Sequence, residues 1–282
     1  MNTFLVTLLA SLLSFTQVDA AIEQKADYVS SYTALKEMLP QASSPEDRAG
    51  VRWRLSLVCL MRGEQEKDKE ARRKWFNEGI QHAEQAIQAA PKDARGYMWH
   101  CANVGRECQT HSFMEQASAV PVMTKDLTTI LDKLGQTDYF AAWQALSEIY
   151  CQHPMKSTDA GINYARKAAC CVPAGEVRLE TFVYFAKLLY ERNWKKDKRQ
   201  SVVAADRTKF ATGYASAVDK YAWFDGTDSP MPWSKADIGT LSDREEALLV
   251  LEYARKRYDS GNPGARDRRQ YRALTDLMAK WK

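Results

Sequence analysis

His100, Cys101, Cys108 and His111 crowd one short stretch of this 282-residue chain. Imidazole and thiolate are both zinc ligands. Cys101, Cys108 and His111 step by seven and three, so an unbroken helix would set them on one face. Structural zinc sites, however, usually draw ligands from more than one segment, and the helical pattern here ends near Glu107. The stretch is read as a packing seam of small residues with a surface histidine, and neither metal nor other cofactor is expected. No G-x-S-x-G, phosphate-binding G-x-x-x-x-G-K-[ST], H-E-x-x-H or dinucleotide fingerprint occurs. The chain is read as non-catalytic, with an unrecognised hydrolase or a thiol or metal enzyme as the alternative from another class.

The elements that position these residues read as helices throughout. Hydrophobic residues make up 45% and charged residues 27%, an ordinary globular composition, and thirteen glycines and nine prolines are few for an all-β protein. Tyr28, Tyr32, Leu35 and Met38 step by three and four, giving an amphipathic helix that Pro40 ends. Ser43-Ser44-Pro45-Glu46-Asp47 carries the hydroxyl, proline and acids of a helix start. That helix is expected to run to about Arg62, with Gly63 after it. Cys108 to Met123 reads as irregular and Lys196 to Tyr221 as one helix. Asp225 to Thr240 reads as the longest loop, and Ser242–Asp259 and Gly264–Trp281 as the closing helices.

At the N-terminus, Phe4 to Phe15 is apolar except for Thr7, Ser11 and Ser14, and small residues follow at Ala20-Ala21. This resembles a signal-peptide core and cleavage site, so residues 1–20 are expected to be removed and the protein to be periplasmic or secreted. The run is shorter than the roughly 18–20 apolar residues of a membrane span, so no stable transmembrane segment is expected after cleavage. No cysteine precedes Cys59, which excludes lipidation at the cleavage site. The net charge of +4 comes from interspersed acids and bases, so nucleic acid is not implied. The densest basic run, Arg192 to Arg199, reads as a solvated helix end. The six cysteines fall within helical patterns and read as small buried hydrophobes, with one or two bridges between helices as the alternative.

Gly79-Ile80-Gln81-His82-Ala83-Glu84-Gln85-Ala86, followed by Pro91, recurs as Gly161-Ile162-Asn163-Tyr164-Ala165-Arg166-Lys167-Ala168, followed by Pro173. Small residues at these spacings let a neighbouring helix approach, and the proline stops the helix. Trp143, Leu146, Ser147 and Tyr150, with Gly161, Ala168 and Pro173, resemble the tetratricopeptide repeat (TPR) consensus. The segments Gly96–Arg106 and Thr181–Trp194 resemble two groups that share it. These are the regulator-of-microtubule-dynamics proteins and the periplasmic tetratricopeptide component (TatT) of TRAP-type transporters. The resemblance covers about residues 46–222. It implies an all-α, TPR-like solenoid of helical hairpins wound as a right-handed superhelix. In the transporter-associated group it implies assembly with a periplasmic solute-binding protein.

The expected organisation is a signal peptide (1–20), an N-terminal helix (21–45), a repeat domain (46–222), a loop (223–240) and C-terminal helices packing on the array (241–282). If Ala102, Ser147 and Ala186 are equivalent small positions, the residues one beyond each, Asn103, Glu148 and Lys187, face the concave side. One turn away lie Trp99, Arg106, Gln144 and Tyr190. Rings that contribute area beside groups that fix orientation suit a peptide or a polar small ligand. The expected function is an exported binding or assembly module for a protein partner or small ligand, accessory to solute uptake. A purely structural scaffold, its concave face filled by the C-terminal helices, is the alternative, and self-association is compatible with either.

Overall fold

The computed structural model describes residues 15–154, 156–226 and 231–281. Every regular element among them is helical, which makes this an all-α helical-repeat protein, and no described helix is long and apolar enough to cross a membrane. The chain divides into two compact units between Asp126 and Leu127, inside the stretch expected to be one array.

The first unit is built on a helical hairpin. Asp27 caps α1 (Tyr28–Met38) and Ser44 caps α2 (Pro45–Gln65), its Oγ accepting the Asp47 amide at 2.9 Å. Gly63 does not end α2. It stays helical and lets α3 (Lys69–Ala89) come close, since a Cβ there would lie 2.4 Å from the Phe76 ring. Next, α4 (Ala94–Cys108) packs on both α2 and α3. Gly79 makes room for it, because an added Cβ would sit 2.2 Å from Asn103 Oδ1. The stretch expected to be irregular is instead helical: α5 (Phe113–Thr128) holds Pro121 inside it and runs into a π-helical turn, Thr129–Lys133.

Most of the expected signal segment lies outside the described residues. Its last six residues, 15–20, are helical and lead into a π-helical turn, Ala21–Lys25. Val18 and Ile22 are buried with Leu35, Val51, Leu55 and Phe76. Asp19 grips Arg54 through two hydrogen bonds of 2.7 and 2.8 Å, and the Phe15 ring lies 4.1 Å from the same guanidinium. Cleavage after Ala20 would remove all three contacts.

The second unit pairs α6 (Phe140–Gln152) with α7 (Thr158–Cys171). Gly161 again permits the close approach, here to Cys151 Sγ of the preceding helix, 2.5 Å from where its Cβ would be. After α8 (Leu179–Arg192), the chain forms α9 (Lys196–Ala211) and the short α10 (Ala217–Tyr221). The single helix expected from Lys196 to Tyr221 is broken because Ser216 caps α10 and the Asp132 carboxylate takes the Ala217 amide at 2.8 Å. The last two helices, α11 (Asp243–Ser260) and α12 (Ala265–Trp281), pack against α8. Phe182, Phe185, Leu189, Trp233, Leu251 and Leu274 form the core between them.

A buried ionic network ties these elements together. Arg166 of α7, Arg192 of α8 and Arg199 of α9 meet Asp225 and, from α11, Asp243 and Glu246. Arg192 and Arg199 belong to the basic run expected to be solvated, yet Arg199 is fully buried, and the exposed residues of that run are its lysines and Asp197. Burial alone would raise the Asp225 carboxyl, but Arg166, Arg199 and Arg192 reverse that and hold it at about 2. Nearby Asp206 has no such surplus of cations. Burial, reinforced by the Asp225 charge, pushes it up to about 6.

The packing of residues 15–20 is directly testable. A chain beginning at Ala21 should unfold with about 2–3 kcal/mol less stability than one beginning at Phe15. Most of that comes from Val18, since half-exposed Asp19 is screened by water. Urea unfolding of the two chains measures the difference, and equal midpoints would show that the segment is separable.

Candidate functional site

The seven residues expected on a concave face fall in both units, and their surroundings differ. In the first unit, Asn103 is not on a surface. It is fully buried, and its Nδ2 donates to Ser56 O at 3.1 Å, Ser56 Oγ at 3.0 Å and Trp99 O at 2.9 Å. The counting rule placed it one residue too far outward because the α4 backbone approaches α2 and α3 closely, with Gly79 beside it. Trp99 packs its ring against the first unit's core. Arg106 reaches the surface, where it pairs with Glu64 at 2.9 Å and donates to Gln109 at 3.3 Å.

In the second unit, α6 and α8 share a polar face. Gln144 donates to Glu148 at 3.2 Å and accepts from the Thr181 hydroxyl at 2.6 Å. Ser147 contacts the Tyr184 hydroxyl at 3.4 Å, and Lys187 is exposed one turn further along α8. Desolvation pushes the Tyr184 phenol above its ordinary range, so it is a neutral hydrogen-bonding group. Of the residues on these two helices, the sequence reading named Gln144, Glu148 and Lys187 and passed over Thr181 and Tyr184. The spacing Thr181, Tyr184, Lys187 on one helix was the available signal. Tyr190 belongs elsewhere. Its ring stacks on Trp281 of α12 at 3.9 Å and 6°, with the Arg244 guanidinium 4.5 Å away.

The histidine and cysteine seam does not assemble as ligands. His100 Nδ1 bonds Asp126 at 2.6 Å, His111 Nε2 bonds Glu107 at 2.6 Å, and Cys108 donates to the Gly105 carbonyl. All six cysteines are free thiols. A different group does converge, in the first unit: Cys59 of α2 with Glu78 and His82 of α3. Burial, with the Arg52 charge beside it, lowers the His82 imidazolium to about 4, so the ring is neutral at physiological pH.

Helical hairpins throughout the described residues define an all-α protein of the helical-repeat type. A family model described as "Regulator of microtubule dynamics protein 1-3" matches residues 14–129. The match spans α1 to α5, and so takes in Trp99, Asn103 and Arg106 but not the α6–α8 face. It also includes residues 15–20. No curated protein matches the chain significantly.

The burial of Asn103 sets the outcome of its substitution. Asn103→Ala should lower stability by about 1–3 kcal/mol, because it leaves the Ser56 carbonyl and hydroxyl without their donor. Thermal unfolding measures this, and an unchanged midpoint would return Asn103 to the list of surface residues.

Proposed function

We propose that this chain is a non-catalytic, tetratricopeptide-like module that holds a segment of a protein partner along the α6–α8 face. The observation that carries the reading is the line Gln144, Glu148, Tyr184 and Lys187, with buried Thr181 holding Gln144 in place. It offers donors, acceptors and both signs of charge on two helices linked by the Thr181–Gln144 and Ser147–Tyr184 contacts. Among the described residues only Val29 and Val122 are exposed large hydrophobics, so contact with the partner is mainly polar. Interspersed charge on this face suits a peptide of mixed charge better than a polyanion.

The match of residues 14–129 supports a protein partner, since the family's printed description concerns regulation of microtubule dynamics. A periplasmic solute-binding protein, and a role accessory to uptake, have only the resemblance to the transporter-associated group behind them. Export rests on the apolar run Phe4–Phe15. If processing accompanies it, the packing of Val18 and Asp19 favours a cut before Phe15 rather than after Ala20. The scaffold reading has one observation in its favour, the stacking of Trp281 on Tyr190, which covers the end of α8 but leaves Lys187 exposed.

Affinity capture with the full chain, followed by mass spectrometry, identifies the partner. Substituting Glu148→Lys together with exposed Lys187→Ala should then reduce its binding roughly fivefold or more, the scale of a residue inside an interface. The melting temperature should change little. Unchanged binding by the folded variant would remove this face from the account.

A further inference from the structure

The convergence of Cys59, Glu78 and His82 is not needed for a binding face on the second unit, and packing alone does not explain it. Their ligand atoms all lie within 4.8 Å of one another. Glu78 and His82 are four residues apart on α3, the spacing that points two side chains at one spot, and Cys59 approaches from α2. His82 Nε2 already lies 3.4 Å from Glu78 Oε1. Donors bound to a tetrahedral ion at 2.0–2.3 Å are themselves roughly 3.3–3.8 Å apart, so the group needs only a small contraction. His82 is 5% exposed, yet its Nε2 has no hydrogen-bond partner, and it points into this cluster.

We propose that Cys59 Sγ, Glu78 Oε1 and His82 Nε2 bind one divalent ion of the zinc class, with a fourth position open to water. A thiolate, an imidazole and a carboxylate together favour zinc over the hard cations magnesium and calcium. The ion would join α2 to α3. Through the 2.5 Å bond from Tyr32 Oη to Glu78 it would also fix α1, the usual task of an outer-shell hydroxyl.

Two cations oppose loading, and they give the proposal its sharpest test. Arg52 Nη1 lies 2.7 Å from His82 Nδ1. A guanidinium only donates, so this bond places the ring proton on Nε2, the atom the metal needs. Loading therefore moves the proton to Nδ1, releases the Cys59 proton to solvent, and requires Arg52 to swing outward. Partly exposed Arg52 has solvent to enter. Lys36 Nζ, 3.8 Å from Glu78 and itself half-exposed, must give way as well. Arg52 is thus a gate on the site rather than a ligand.

The test uses the purified full chain, stripped with chelator and titrated with cobalt(II) as a spectroscopic stand-in for zinc. One equivalent should bind, with a thiolate-to-cobalt charge-transfer band and the strong visible bands of tetrahedral cobalt. Cys59→Ser should abolish the charge-transfer band. Because Cys59 is a core position, Glu78→Gln at the partly exposed mouth supplies a second arm. It should weaken binding by more than about 100-fold, since even outer-shell losses cost 10–100-fold. Arg52→Met should tighten binding about tenfold. Failure to retain cobalt, cobalt bound without a thiolate band, or an affinity unchanged by Glu78→Gln and by Arg52→Met would each overturn the site.

Discussion

Six charges, five of them buried and that of Arg192 nearly so, hold the second unit in its shape. Arg166 faces Asp225 at 2.8 Å and Glu246 at 2.9 Å, and Arg199 faces Glu246 at 2.6 Å. Arg192 and Arg199 share Asp243, at 2.8 and 3.1 Å. Three cations balance three anions, so the group can be buried as a whole, whereas any one member left alone would cost several kcal/mol. The Trp233 indole and the Trp194 amide satisfy further lone pairs of Glu246 and Asp243. A network of this kind contributes little net stability compared with a well-packed apolar core. What it enforces is arrangement: α7, α8, α9 and α11 must all be in register for every charge to be answered. The position of α8, and with it Thr181, Tyr184 and Lys187, follows from that requirement.

The first unit reaches a defined packing by other means. Its helices approach where side chains are missing, at Gly63 beneath Phe76 and at Gly79 beside Asn103. The two copies of the G-I-x-x-A-x-x-A pattern are not used alike. Gly79 admits the helix that follows its hairpin, whereas Gly161 admits the helix that precedes it. The fourth position also diverges. His82 points into a polar cluster with Glu78 and Cys59, while Tyr164 stacks on Trp143 at 5.6 Å and gives its hydroxyl to the Val218 carbonyl. One structural pattern thus carries chemistry in one copy and aromatic packing in the other.

The sequence revealed what is local. Ser44 caps the helix that its start signal announced, and the helix expected from Ser242 begins there with Ser242 as its cap, because a capping hydroxyl acts on amides two or three residues away. Helix ends governed by packing were less visible. Gly63 looked like a stop, and nothing near it announced the Phe76 ring. The network was illegible for the same reason. Arg166 sits in a repeat copy, Arg199 in a run read as solvated, Asp225 at the start of a loop and Glu246 in a closing helix, and only the tertiary fold brings them together. The site residues divide along this line too. Gln144, Glu148 and Lys187 stand on α6 and α8, Asn103 is buried by a close helix approach, and Tyr190 stacks on a C-terminal helix that packs against α8.

The central claim is that one shared set of buried charges makes α8, α9 and α11 a single cooperative element, and so fixes the polar face that α8 carries. Native-state hydrogen exchange in low denaturant tests it most directly, because helices joined by such a network should open together. The account predicts one common opening free energy for the slowest amides of all three helices, lowered in common by Glu246→Ala. Independent opening of α9 or α11, with α8 left protected in that variant, would contradict it.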